Sequence, residues 1–116
     1  MEYISSKDVK PFDFGGLKIR EVTPRDLSEA PIVEIEVAAD CSHKRARSNK
    51  SDKITFCLQG SVSYRVEGQN VALDNQDLLL IPNNEWFDYR NDKEETARLL
   101  LLHIPPFEIQ AEEFAE

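Results

Sequence analysis

Short apolar runs separated by polar turns set the pattern of this chain, and none of them carries a helical period. From Pro31 to Ala39 the residues alternate, with Val33, Ile35 and Val37 on one side and Glu34 and Glu36 on the other. Successive side chains of a strand point to opposite faces, so this alternation predicts a strand with one buried face. Further runs at Ile54–Gln59, Val62–Val66, Val71–Leu73, Leu78–Ile81, Trp86–Tyr89 and Ala97–Ile104 read as strands, and Leu17, Ile19 and Val22 give a weaker one before them. The turn Glu67-Gly68-Gln69-Asn70 has the residue types of a hairpin, and Asp92–Glu95 is a charged turn. Thr23–Ser28 predicts one helical turn, capped by Thr23 with Pro24 at its first position. The polar, basic stretch Asp40–Asp52 reads as a loop or an irregular strand end. Beyond Pro105 and Pro106, the apolar residues Phe107, Ile109 and Phe114 predict a final strand or short helix docked on the rest. Strands this short and this closely spaced predict an all-β sandwich or barrel.

Composition narrows the classes of function. A chain of 116 residues can bury one core but not two, and its 41% hydrophobic and 31% charged residues are those of a soluble globular domain. A formal charge of −8 opposes binding to nucleic acid or to an anionic membrane, both of which call for a positive face. The longest apolar run, Leu78–Pro82, is far short of the roughly 20 residues that span a bilayer. The opening residues, MEYISSKDVK, contain no apolar core of a secretory signal, so a cytoplasmic location is expected. Two cysteines, Cys41 and Cys57, are too few for a disulfide scaffold, and Cys57 in an apolar strand reads as a small buried thiol.

Between Lys53 and Asn91 the chain reads KITFCLQGSVSYRVEGQNVALDNQDLLLIPNNEWFDYRN, which resembles the core of a single-domain cupin. The family's first motif places two histidines and a glutamate before a closing glycine. With Gly60 as that glycine, the glutamate position holds Lys53, and the histidine positions hold Arg47 and Asn49, or Ala46 and Ser48 under the longer spacing. In the second motif Gln76 stands at the leading glycine, Pro82 matches, Asn84 replaces a glycine, Phe87 replaces the histidine and Asn91 matches. The resemblance implies a single-domain antiparallel jelly-roll β-barrel over residues 1–116, with a barrel core at about 31–104, an N-terminal lead-in at 1–16 and a C-terminal tail at 105–116. It also speaks against the family's usual metal. A transition ion needs imidazole, thiolate or carboxylate donors at about 2.0–2.3 Å, and Phe87 has no lone pair while Lys53 brings a positive charge. No cofactor is expected.

If Lys53 keeps the inward direction of the residue it replaces, Thr55 and Cys57 line the interior too, and Ile54, Phe56 and Leu58 make an apolar outer face. Family members commonly dimerise through such a face, so a homodimer is expected. Lys44, Arg45, Arg47, Lys50 and Lys53 concentrate positive charge in an acidic chain: either they form an anion-binding mouth, or they are solvated, or they pair with the acidic tail at Glu112, Glu113 and Glu116. Trp86, Phe87 and Tyr89 can stack on a ring inside the barrel or serve as core. The ligand-binding candidates are thus Arg47, Asn49, Lys53, Thr55, Trp86 and Phe87, and the ligand expected is a small anionic or sugar-like molecule. His103, Tyr89 and Tyr64 are candidates for acid–base work in an isomerase, epimerase or lyase that uses no metal. A non-standard metal site would combine His43 or His103 with Asp40 or Cys41, but the spacing matches no motif, and a lone histidine in each place reads as an exposed or packed residue. A sensor or interaction barrel is the third function class that the pattern allows.

Overall fold

A computed structural model describes residues 1–23, 29 and 31–115. Eleven strands form among them: β1 (Phe12–Phe14), β2 (Leu17–Glu21), β3 (Ile32–Val37), β4 (Ser42–Ser48), β5 (Asp52–Gln59), β6 (Ser61–Val66), β7 (Gln69–Asp74), β8 (Leu78–Ile81), β9 (Phe87–Arg90), β10 (Ala97–Ile104) and β11 (Glu112–Phe114). They pair antiparallel in two sheets, one ordered β1-β2-β3-β10-β5-β8 and the other β11-β4-β9-β6-β7. From β3 onward the chain alternates between the sheets, except at the β6–β7 hairpin, so consecutive parts of it wrap around one interior, as in a jelly-roll barrel.

Alternation decides what fills that interior. Ile35 and Val37 from β3, Cys57 from β5, Val62 and Tyr64 from β6, Phe87 and Tyr89 from β9, and Leu99 from β10 are buried together with Leu17, Leu73 and Ile81. Two backbone features hold the frame. The β6–β7 hairpin pairs Val66 with Gln69, and its two loop residues, Glu67 and Gly68, both take positive φ, as a turn that follows the right-handed strand twist demands. Asn91 is fully buried, and its amide donates to the carbonyls of Val37 and Glu95 at 2.8 Å each, tying the end of β9 to β3 and to the turn before β10.

Two expectations are refined, and a third lies largely outside the described residues. The basic stretch is not a loop: Ser42–Ser48 forms β4, paired on one side with β9 and on the other with β11. Its cations face outward while Ala46 and Ser48 are buried, a polar strand whose small inward residues give no apolar alternation to read. The tail forms both alternatives in succession, a short 3-10 turn at Ile109–Ala111 and then β11, yet Phe107 and Ile109 stay exposed and only Phe114 packs on the core. The expected helical turn at Thr23–Ser28 falls, beyond Thr23, outside the described residues.

Candidate ligand-binding site

The sequence-predicted residues separate into two groups. Lys53 and Thr55 on β5, Phe87 and Tyr89 on β9, Tyr64 on β6 and His103 on β10 all turn into the barrel and are buried. Arg47, Asn49 and Trp86 do not join them. Ala46 and Ser48 take the inward positions of β4, so Arg47 and Asn49 lie on the outer side. There Arg47 Nε and Asn49 Nδ2 donate to the Glu113 carboxylate at 3.0 and 2.6 Å. The Trp86 ring is flanked on that same side by the guanidiniums of Arg47 and Arg45, at 4.7 and 5.1 Å from its centroid. Because Ala46 and Ser48 take the inward positions, the longer of the two motif spacings is the one the fold uses.

Inside, rings form a continuous wall. Tyr64 and Tyr89 lie 4.7 Å apart between centroids, and His43 sits 5.2 Å from both Phe87 and Tyr89 and 5.6 Å from Phe14. His43 was not among the candidates for this wall. It reaches the interior because the register of β4 against β9 shifts between His43 and Ala46, so its side chain joins the face of Ala46 and Ser48 despite the odd spacing. No alternation in sequence announces such a shift.

The polar atoms on this wall are unequally served. The Tyr64 hydroxyl hydrogen-bonds Thr55, and burial holds its pKa well above the ordinary value. Tyr89 Oη is buried and has no hydrogen-bond partner among the described residues. Burial, and then the neighbouring Tyr64, pushes the Tyr89 phenol far above its usual range, so both phenols stay protonated. His43 Nδ1 donates to the Lys44 carbonyl at 2.6 Å, which leaves Nε2 as the nitrogen with a lone pair. Burial lowers the His43 pKa, with the Lys44 carbonyl opposing it.

At the other end of the interior stands a charged pair. Lys53 Nζ lies 3.2 and 3.4 Å from the two carboxylate oxygens of Glu112, with 7% and 5% of the two side chains exposed. The ammonium also faces the Phe87 ring, 5.4 Å from its centroid. Burial lowers the Lys53 pKa, and Glu112 pulls it back up. His103, paired in register with Lys53, stacks edge-on against Phe107 at 5.1 Å and is pushed down to about 4 by burial and by the Lys53 charge. Both histidines are therefore neutral near pH 7. The basic stretch pairs with the acidic tail at Glu112, through Lys53, and at Glu113, through Arg47, with Lys50 on Glu108 besides, while Glu116 lies outside the described residues.

Two antiparallel sheets around a polar, ring-lined interior define a jelly-roll barrel. The chain belongs to the cupin family: a family model described as "Cupin domain" matches residues 32–103, more than half of its length. No curated protein sequence matches it. Solved structures do so at low identity. The nucleoside dehydratase Pac13 of Streptomyces, also solved with uridine, is 17% identical, with 100% of this chain and 92% of that one covered and a TM-score of 0.83. A predicted oxalate decarboxylase from Thermotoga maritima is 12% identical over 90% of this chain and 99% of its own, with a TM-score of 0.82. KdgF from Halomonas sp. is 14% identical over 91% and 96%, with a TM-score of 0.79. At these identities the likeness establishes the fold alone.

A family metal does not fit this interior. The four positions for its ligands hold Ala46, Ser48, Lys53 and Phe87, all buried and inward, which supply neither imidazole nor carboxylate and add a cation. Among the described residues no group of three or more His, Cys, Asp or Glu side chains is arranged to hold a metal ion.

Proposed function

We propose that this protein is a cupin that binds a small polar organic molecule in its barrel without a metal, through Lys53, Thr55, Tyr64, Tyr89 and His43. The observation that carries this reading is Tyr89 Oη, a buried hydroxyl with no partner among the described residues. A buried polar group left unsatisfied costs about 1–3 kcal/mol, so a protein keeps one where something else completes it. The ring wall offers faces for a sugar or heterocycle, and Lys53 offers a cation for an acidic group. Similarity to a nucleoside dehydratase and to a predicted oxalate decarboxylase supports both ligand chemistries.

A thermal-shift panel of small organic acids, sugars and nucleosides tests this. One class raises the unfolding midpoint, and Tyr89→Phe weakens that binding about tenfold while leaving the ligand-free protein as stable as before or slightly more so, since it removes the orphaned hydroxyl. A panel without any response, or a response that Tyr89→Phe and Lys53→Met leave unchanged, overturns the proposal.

A second reading is a lyase or isomerase that works without a metal. Two protonated phenols beside a neutral imidazole, Tyr64, Tyr89 and His43, provide proton donors and a base within one wall. The outer face of β5 and β8 carries Ile54, Phe56, Leu58, Leu78 and Leu80, and we assign it to contact with a second copy of the chain.

A further inference from the structure

The pair Lys53–Glu112 joins two parts of the chain with very different anchorage. Lys53 lies in β5, one strand in from the edge of the six-stranded sheet, bonded to β10 on one side and β8 on the other. Glu112 lies in β11, three residues at the edge of the opposite sheet, which pairs with β4 alone. The link before it, Phe107–Ala111, carries exposed Phe107 and Ile109. Backbone bonds from Asn49 N to the Ala111 carbonyl and from Ala115 N to the Arg45 carbonyl fix the two ends of β11 to the rim of β4. The other ion pairs of the tail, Arg47–Glu113 and Lys50–Glu108, are exposed on the outside, where such pairs contribute little. A short edge strand with few contacts opens at lower free energy than the body of the sheet.

Besides the Phe114 ring, which packs on the core, this strand delivers one carboxylate to the interior, and it meets a cation that has no structural need to be there. A buried ion pair is no better for stability than apolar residues of the same volume, whereas a buried ammonium left alone is strongly unfavourable. Lys53 thus demands a carboxylate whenever the barrel is closed. The same ammonium faces the Phe87 ring and His103, and the phenol wall of Tyr89 and Tyr64 lies beyond Phe87 along β9 and β6. A molecule with an acidic group on Lys53 would extend toward Tyr89 Oη.

We infer that Lys53 is a carboxylate subsite which the chain's own C-terminal strand fills through Glu112, and that the ligand is a small organic acid which enters by displacing that side chain. The inference rests on the interior site proposed above and assigns its ligand class. Glu112, tethered a few residues from its anchors, competes as an intramolecular ligand at high effective concentration. Wild-type protein therefore binds a simple carboxylate weakly, and removal of the internal competitor exposes the subsite.

The test is chemical rescue in the full chain. Thermal unfolding of the wild type, Glu112→Ala, and the charge-free Lys53→Met/Glu112→Leu double variant is followed while sodium acetate replaces sodium chloride at constant ionic strength. Glu112→Ala is expected to unfold at a lower midpoint in chloride, to recover at least half of that loss in acetate, and to bind acetate at least tenfold more tightly than the wild type. The double variant is expected to fold and ignore acetate. If Glu112→Ala does not fold in chloride, folding in acetate supports the subsite, and failure to fold in acetate while the double variant folds overturns it. Equal effects of acetate and chloride on Glu112→Ala, equal acetate responses of wild type and variant, or an acetate response that survives in the double variant would each overturn it. Phosphate restoring Glu112→Ala as well as acetate does would overturn the carboxylate assignment. A neutral sugar or nucleoside that binds the wild type in a Tyr89-dependent way, without any acetate rescue, would remove this inference and leave the interior site standing.

Discussion

Gln76 and Asn84 stand where the family's second motif has glycine, and both adopt positive φ, at 70° and 68°. The backbone has kept the glycine conformation after losing the glycine, which is why the motif spacing was legible even though its residues were not. Such a swap is affordable where only φ is at stake, since an L-residue in the left-handed region costs about 1–2 kcal/mol. Gly60 is different. Its φ is +84°, and a Cβ there would lie 3.0 Å from the Cα of Ala97 and 3.3 Å from the Thr96 carbonyl oxygen, both backbone atoms. Gly60→Ala must both strain φ and push β10 away from the β5–β6 turn. We expect a loss of about 2–4 kcal/mol in a denaturant titration, against about 1–2 kcal/mol for a Gly15→Ala control, where φ is +57° but no atom lies within 4 Å of the added methyl. Equal losses at the two sites would mean that contact with Ala97 is not what keeps position 60 a glycine.

Among the elements, β3 was legible from its period of two, β8 and β10 from continuous apolar runs, and β5 from the large apolar residues of its outer face. The inward set Lys53, Thr55 and Cys57 followed from the motif position of Lys53. β4 was hidden because its inward residues are Ala46 and Ser48 and because its register shift breaks the parity that would have assigned His43 to the interior. β11 could only be half read: the acidic tail was a possible partner for the basic stretch, but which acid meets which base depends on strand register, which puts Glu112 opposite Ser48 and Glu113 opposite Arg47. Arg47, Asn49 and Trp86 fell on the outer side for that same reason of parity. The outer faces of β5 and β8 carry the clearest signal in the other direction. Leu58, Leu78 and Leu80 are 40%, 61% and 53% exposed, and β8 is a sheet edge, a combination that a free monomer rarely keeps. Analytical ultracentrifugation is expected to give twice the chain mass for the wild type and a single chain mass for Leu80→Glu. A monomeric wild type, or a dimer that tolerates both Leu80→Glu and Leu78→Glu, would refute the assignment of this face.

For the molecule as a whole, burying two histidines and a lysine in one interior sets how its stability follows pH. His103 is held at about 4, against 6.5 for an exposed imidazole, first by burial and second by the Lys53 charge, and His43 is lowered by burial as well. The unfolded chain thus takes up protons below about pH 6.5 that the folded chain refuses until about pH 4. The sign follows: stability is fully present above the unfolded value and is lost as pH falls between the two. A shift of this size corresponds to about 3 kcal/mol for His103 alone. Glu113, which Asn49 and Arg47 hold below the usual carboxylate range, adds its loss only at lower pH, so the two contributions separate along the axis. Denaturant titrations of the wild type from neutral pH to pH 4 should therefore show a fall that begins near pH 6.5, before carboxylates protonate. His103→Gln should flatten the larger part of that fall and His43→Gln a further part, with stability at pH 7 changed in each by less than the wild type loses on acidification. A His103→Gln curve parallel to that of the wild type would mean that His103 titrates alike in the folded and unfolded chains, and the Lys53 end of the barrel would then have to be wet enough to stabilise an imidazolium beside an ammonium.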